Sequence, residues 1–208
     1  MTFLYSSWLG LGRSLEVEPV AGQKAFDDLA AAYSSPGRYY HTLEHIYHVL
    51  STIKTLQSQA KDLTALQLAA WFHDVVYDSQ AQDNEEKSAD YADRLLQSLE
   101  IPSNKIAATS HLIRNTKHHQ AASDDIDSQI LLDADLAILG TNLVQYQEYA
   151  RAIRQEYAWV PEAQYFRARR QVLERFLQRE RIYFTDWMFE VAELAARHNL
   201  QAEIQSFL

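Results

Sequence analysis

Apolar residues recur every three or four positions along almost the whole chain, and little interrupts them. Only five glycines and four prolines punctuate 208 residues, which disfavours a turn-rich all-β architecture and leaves long helices as the expected unit. An apolar content of 47% is enough to bury a substantial core in one domain spanning residues 1–208. No repeat, low-complexity tract or Gly/Ser-rich linker divides it. The expected fold is all-α, a compact multi-helix bundle.

The pattern predicts a first helix over 19–33, closed by the loop Ser34-Ser35-Pro36-Gly37. A second starts near Thr42, a capping residue type, and carries His45, Val49, Ile53 and Leu56 to one face. A third opens near Thr64 and reaches about Tyr77. A fourth follows Asp83, with Glu86 at the spacing of a capping box, and extends to Leu99 before the break at Pro102. A fifth covers Ser103 to His118, and a sixth covers Asp125 to Leu139 with Gly140 as its terminating residue. Helices over 142–157, from Pro161 to Arg179, and after a cap at Thr185 complete the set.

Zero cysteines exclude disulfides, thiolate nucleophiles and Cys-based zinc sites. The opening MTFLYSSWLGLGRSLEVEP lacks a basic n-region and a long apolar stretch, so neither a signal peptide nor a membrane span is expected, and the cytoplasm is the expected compartment. A net charge of -9 argues against a nucleic-acid partner. The basic stripe Arg167, Arg169, Arg170, Arg175, Arg179 and Arg181 reads first as the solvated face of an amphipathic helix.

One segment breaks the helical economy. In LAAWFHDVVYD, the pair His73-Asp74 follows the apolar run Leu68 to Phe72. Burying such groups without partners costs several kcal/mol or forces a pKa shift, and a bound metal ion would relieve that cost. Further donors stand on other expected helices: His45 on the second, and Asp133 or Asp135 on the sixth. Ligands from several helices of a bundle commonly hold such an ion, and neutral imidazoles with carboxylates suit a divalent cation.

The ordered set His45 … His73-Asp74 … Asp135 resembles the signature of the HD superfamily of metal-dependent phosphohydrolases. The stretches YYHTLEHI, WFHDVVYD, DNEEKSA and LLDAD together resemble a bacterial subgroup of predicted HD phosphohydrolases. The motifs cover roughly residues 39–139, with the helices over 142–208 subgroup-specific. The resemblance implies an HD-type helical domain with His45, His73, Asp74 and Asp135 as ligands of one divalent metal ion. Mn, Ni, Co, Fe, Mg and Zn are not distinguished, and a second metal is possible. It also implies hydrolysis of a nucleotide or other small phosphoester by metal-activated water. Asp135, in Ala134-Asp135-x-Leu, fits the family's form better than Asp133, which then becomes a supporting or capping group.

Around this set, His41 at the entry to the second helix is a candidate to meet substrate phosphate or orient a ligand, while His48 reads as surface. Glu85, following the pair across a short loop, is the candidate catalytic proton carrier, against the alternative of helix-start chemistry. His118 is the candidate for a second catalytic role, either binding phosphate beside Lys117 or joining a second metal; otherwise it belongs to a polar helix end. Two alternatives stand beside the hydrolase: a di-iron HD-type oxygenase drawing on His118 or His119, and a non-catalytic nucleotide-binding sensor.

Overall fold

The structure, a computed structural model, describes residues 2–207, and among them every regular element is helical. In chain order the helices are α1 (Thr2–Ser14), α2 (Pro19–Tyr33), α3 (Leu43–Leu56), α4 (Leu63–Phe72) and α5 (Asn84–Ser98). They continue as α6 (Ser103–Asn115), α7 (Ile126–Asp135), α8 (Leu143–Glu156), α9 (Glu162–Leu177) and α10 (Asp186–Gln205). Short 3₁₀ turns extend α3 over Gln57–Gln59 and α7 over Leu136–Gly140.

α4 is the centre of the bundle. Its run Leu66, Leu68, Ala69, Ala70, Trp71 and Phe72 is almost fully buried, because α3, α5, α6 and α7 all pack on it. A helix apolar on every side is stable only in such an enclosed place. α10 lies against the 3₁₀ turn after α7 and against α9. Several starts are fixed by side-chain caps: Thr42 accepts from Glu44 N, Asn142 from Gln145 N and Thr185 from Met188 N.

Several expectations need correction. The first is α1, which the sequence pattern does not predict. It buries Leu4, Trp8 and Leu11 along one face. The Trp8 ring meets Trp71 and Phe72 edge-on at 5.5 and 6.0 Å.

The second is the end of α4, which stops at Phe72 rather than running to Tyr77. His73 closes it by donating its N–H to Ala69 O at 2.9 Å. Beyond it, side chains satisfy the backbone. Arg38 takes the carbonyls of Asp74 and Val75 at 2.7 and 2.8 Å, and Ser88 pairs with both polar groups of Val76.

Third, no capping box opens α5. Asp83 pairs with Lys87 at 2.8 Å, Glu86 pairs with Lys117, and Asn84 instead ties the loop by two bonds to the Asp78 backbone. α6 likewise ends at Asn115, short of His118. Fourth, Gly140 is not a left-handed terminator, since Gly37 is the described glycine with positive φ. A Cβ at Gly140 would stand 2.7 Å from Ala192 Cβ and 2.8 Å from Ala192 O, so the glycine permits α10 to approach the turn.

Candidate metal centre

Three helices deliver four donors to one point. His45 sits in the first turn of α3, His73 closes α4, Asp74 follows in the turn, and Asp135 ends α7. One ligand atom from each lies within 4.8 Å of all the others. His45 Nε2 is 3.0 Å from His73 Nε2 and 3.2 Å from Asp135 Oδ1; His73 Nε2 is 3.1 Å from Asp74 Oδ2. The diagonals, His45 to Asp74 and His73 to Asp135, measure 3.5 and 3.6 Å.

These separations fit a shared cation. Donors at about 2.1 Å from an ion stand about 3.0 Å apart when adjacent in an octahedron and about 3.4 Å apart in a tetrahedron. The tautomer agrees. His73 Nδ1 faces the Ala70 carbonyl at 3.1 Å, which can only accept, so a neutral His73 turns its Nε2 lone pair to the centre. Lone pairs and carboxylate oxygens crowded together repel one another unless positive charge lies between them.

The electrostatics show a cluster that calls for positive charge at its centre. Burial alone would lower the pKa of His45 and His73, but the Asp135 and Asp74 carboxylates hold both above the ordinary imidazole range. Burial would raise Asp74 and Asp135, yet the histidines hold both well below the carboxylate range, with His119 as the leading partner for Asp135. The cluster is balanced either by protons on its imidazoles or by one cation among its four donors. It can hold a metal ion.

The supporting groups are those the sequence pattern conceals. Arg38 fixes the turn that carries Asp74, and it also bonds the His41 carbonyl at 3.0 Å while resting over the rings of Tyr33 and Tyr77. Glu156, at the end of α8, is buried and accepts the backbone N–H groups of Tyr39, Tyr40 and His41 on one oxygen. Its other oxygen accepts from His41 Nδ1 at 2.7 Å and from the Tyr77 hydroxyl at 2.9 Å. Burial would raise this carboxyl, but the His41 bond and the backbone N–H groups bring it down to about 2. His41 is thereby held on the cavity wall, stacked on Tyr77 at 4.1 Å. His48 is exposed, as expected.

A cavity of about 520 Å³ opens beside the centre, with His73, Asp74 and Asp135 in its wall, within the ~300–1,000 Å³ range usual for small-molecule sites. Glu85 and His118 also line it, Glu85 half-buried and His118 exposed, and neither belongs to the converging four. The histidine that reaches the centre from this segment is His119, whose Nε2 lies 3.0 Å from Asp135 Oδ2. Asp133 turns elsewhere: its oxygens accept from the N–H groups of Phe184 and Thr185 and the Thr185 hydroxyl, each at 2.7 Å. Half of the basic stripe is engaged in ion pairs, Arg169 with Glu203 in a buried pair and Arg170 with Glu174 and Arg181 with Asp186 at the surface. No helix among the described residues is long and apolar enough to cross a membrane.

No family model, curated protein or solved structure matches this chain.

Proposed function

We propose that this chain is a divalent-metal-dependent phosphohydrolase of the HD type, acting on a nucleotide or other small phosphoester. One observation carries the reading. The ordered donors His45, His73, Asp74 and Asp135 converge on a single point in the wall of an open cavity of about 520 Å³. A buried structural ion needs no such access, whereas a hydrolytic one must leave positions for water and substrate.

When bound, a divalent ion supplies a Lewis acid for a phosphoryl oxygen and lowers the pKa of water towards neutrality. The protein's own groups do the rest. Glu156 fixes the tautomer and direction of His41, so that Nδ1 is occupied and Nε2 is left for the cavity. Glu85 and His118 line the same cavity and are the candidates to take a proton from water or return one to the leaving oxygen. Lys117, which also lines the cavity, is paired with Glu86 and bonds the Gln82 carbonyl.

The test is release of phosphate or phosphoester cleavage across a panel of nucleotides and other small phosphoesters, with Mg, Mn, Fe(II), Co, Ni or Zn supplied in turn. Turnover in wild type that disappears in Asp74→Ala supports the reading. A metal-loaded protein inert towards the whole panel would sink it.

A second reading has one observation in its favour. His119 reaches the free oxygen of Asp135 at 3.0 Å, a position from which His119 and a bridging Asp135 could serve a second ion, as a di-iron oxygenase requires. Two iron ions per chain on anaerobic metal analysis would favour it; one ion of any kind favours the hydrolase.

A further inference from the structure

A second cavity, of about 540 Å³, reaches the candidate centre from the side of His45 and Asp135. Tyr40, Asp135, Ile138 and Tyr149 line both cavities and so stand between them. The second is a cleft walled by α3 and α8, with residues of the 3₁₀ turn after α7 between the two helices. α3 turns Glu44, His48 and Thr52 to it at spacings of four, and α8 turns Gln145 and Glu148.

The two cavities differ in charge. The first has Lys117 and Arg169 in its wall. Among the described residues no lysine or arginine lines the second, which has Glu44 and Glu148 besides Asp135. Glu44 meets only His48, at 4.0 Å, and Glu148 has no cationic partner among the described residues. A recess lined by one sign of charge focuses the field within it, so this one repels anions and draws cations.

Its lining also says which kind of cation. A metal ion needs several donors converged at about 2.1 Å, and among the described residues the group that converges so is the candidate centre itself. The second cavity is far larger than one ion and carries exposed aromatic rings at its edge, Tyr39 at 54% and Trp187 at 41%. Ring faces attract organic cations, quaternary ammonium groups above all.

We propose that the second cavity binds an organic ammonium ion, its charge met by Glu44 and Glu148 and its carbon substituents by Tyr39 and Trp187. The site does not depend on the phosphohydrolase reading, and its ligand is of the opposite charge to a phosphoester.

The experiment is calorimetric titration of the full-length protein, freed of metal by chelation, with choline. The uncharged isostere 3,3-dimethylbutan-1-ol and methyl glucoside serve as controls for shape and for hydroxyl recognition. Choline binds with 1:1 stoichiometry, the isostere at least about 5-fold more weakly, and the glucoside not at all. Glu148→Gln weakens choline about 5- to 10-fold, and Trp187→Leu weakens it about 2- to 5-fold. Both positions are exposed, and unchanged far-UV circular dichroism confirms that the variants are folded. Absence of choline binding at millimolar concentration overturns the proposal, as does an isostere or glucoside that binds as well. Affinity unchanged in either variant overturns it too. Since neither metal nor hydrolysis enters the measurement, its outcome is separate from that of the phosphoester panel.

Discussion

Asp133 and Asp135 stand two residues apart in α7 and serve different parts of the molecule. Asp135 Oδ1 lies 3.2 Å from His45 Nε2 in the candidate metal centre, whereas Asp133 accepts three hydrogen bonds from Phe184 and Thr185. Two helical steps turn the side chain by about 200°, so the two carboxylates cannot share a task. Asp135→Asn is expected to lose bound metal while keeping its melting temperature in metal-free buffer within a few degrees. Asp133→Asn is expected to keep the metal and lose about 1–3 kcal/mol in denaturant unfolding, since an amide meets donors with a donor. Reversal of the two phenotypes would mean that the ligand is misassigned.

Removing a neighbouring ligand gives a second check. His73→Ala or Asp74→Ala should abolish metal binding by elemental analysis and leave most of the far-UV helical signal. Saturating metal should stabilise wild type by about 3 kcal/mol when free ion exceeds its Kd about 100-fold, and should not stabilise either variant. Full occupancy in His73→Ala contradicts the geometry.

Arg38 makes a separable prediction. Its guanidinium serves the carbonyls of His41, Asp74 and Val75 at once. Arg38→Ala is expected to cost about 2–4 kcal/mol, and to weaken metal affinity because the Asp74 turn loses its anchor. Arg38→Lys, a point charge with no planar fork, should recover less than half of the loss. Unchanged metal affinity in Arg38→Ala would show that the turn holds itself.

Glu156 sets an acid dependence. Its folded pKa of about 2 lies below its usual 4.5, so the group stabilises the fold above pH 4.5 and loses that contribution as pH falls from 4.5 through 2. The shift corresponds to at most about 3 kcal/mol at neutral pH. In Glu156→Gln, the stability deficit relative to wild type should be largest near pH 7 and shrink steadily below pH 4.5. A deficit independent of pH would mean that packing, not charge, is what Glu156 provides.

Gly140→Ala tests the close approach of α10. The new Cβ would meet Ala192 Cβ at 2.7 Å and the Ala192 carbonyl at 2.8 Å, and overpacking of this kind costs about 1–3 kcal/mol. Adding Ala192→Gly removes only the side-chain clash, so it should restore part of the loss in thermal unfolding and not all of it.

How much of this could be read in the chain follows from where each partner sits. α2 is bounded by Pro19 and the Ser-Ser-Pro-Gly loop, and α3 and α10 by Thr42 and Thr185, so their limits are local and visible. α1 has no such signature. Gly10 and Gly12 weaken it as an isolated helix, and burial of Leu4, Trp8 and Leu11 holds it instead. The end of α4 is likewise set from outside, by Arg38. His73-Asp74 was legible because charge is conspicuous in an apolar run. Glu156 was not, since its partner His41 lies 115 residues away, and nothing near position 156 marks it as buried.

The packing of Trp8 against Trp71 and Phe72 places α1 directly behind the two residues that precede His73. α1 contributes no donor to the cluster, yet it forms the back wall against which the candidate ligand His73 is braced. A proteolytic cut before residue 15, or a bulky fusion that pries this helix away, is therefore expected to register first as a loss of metal uptake.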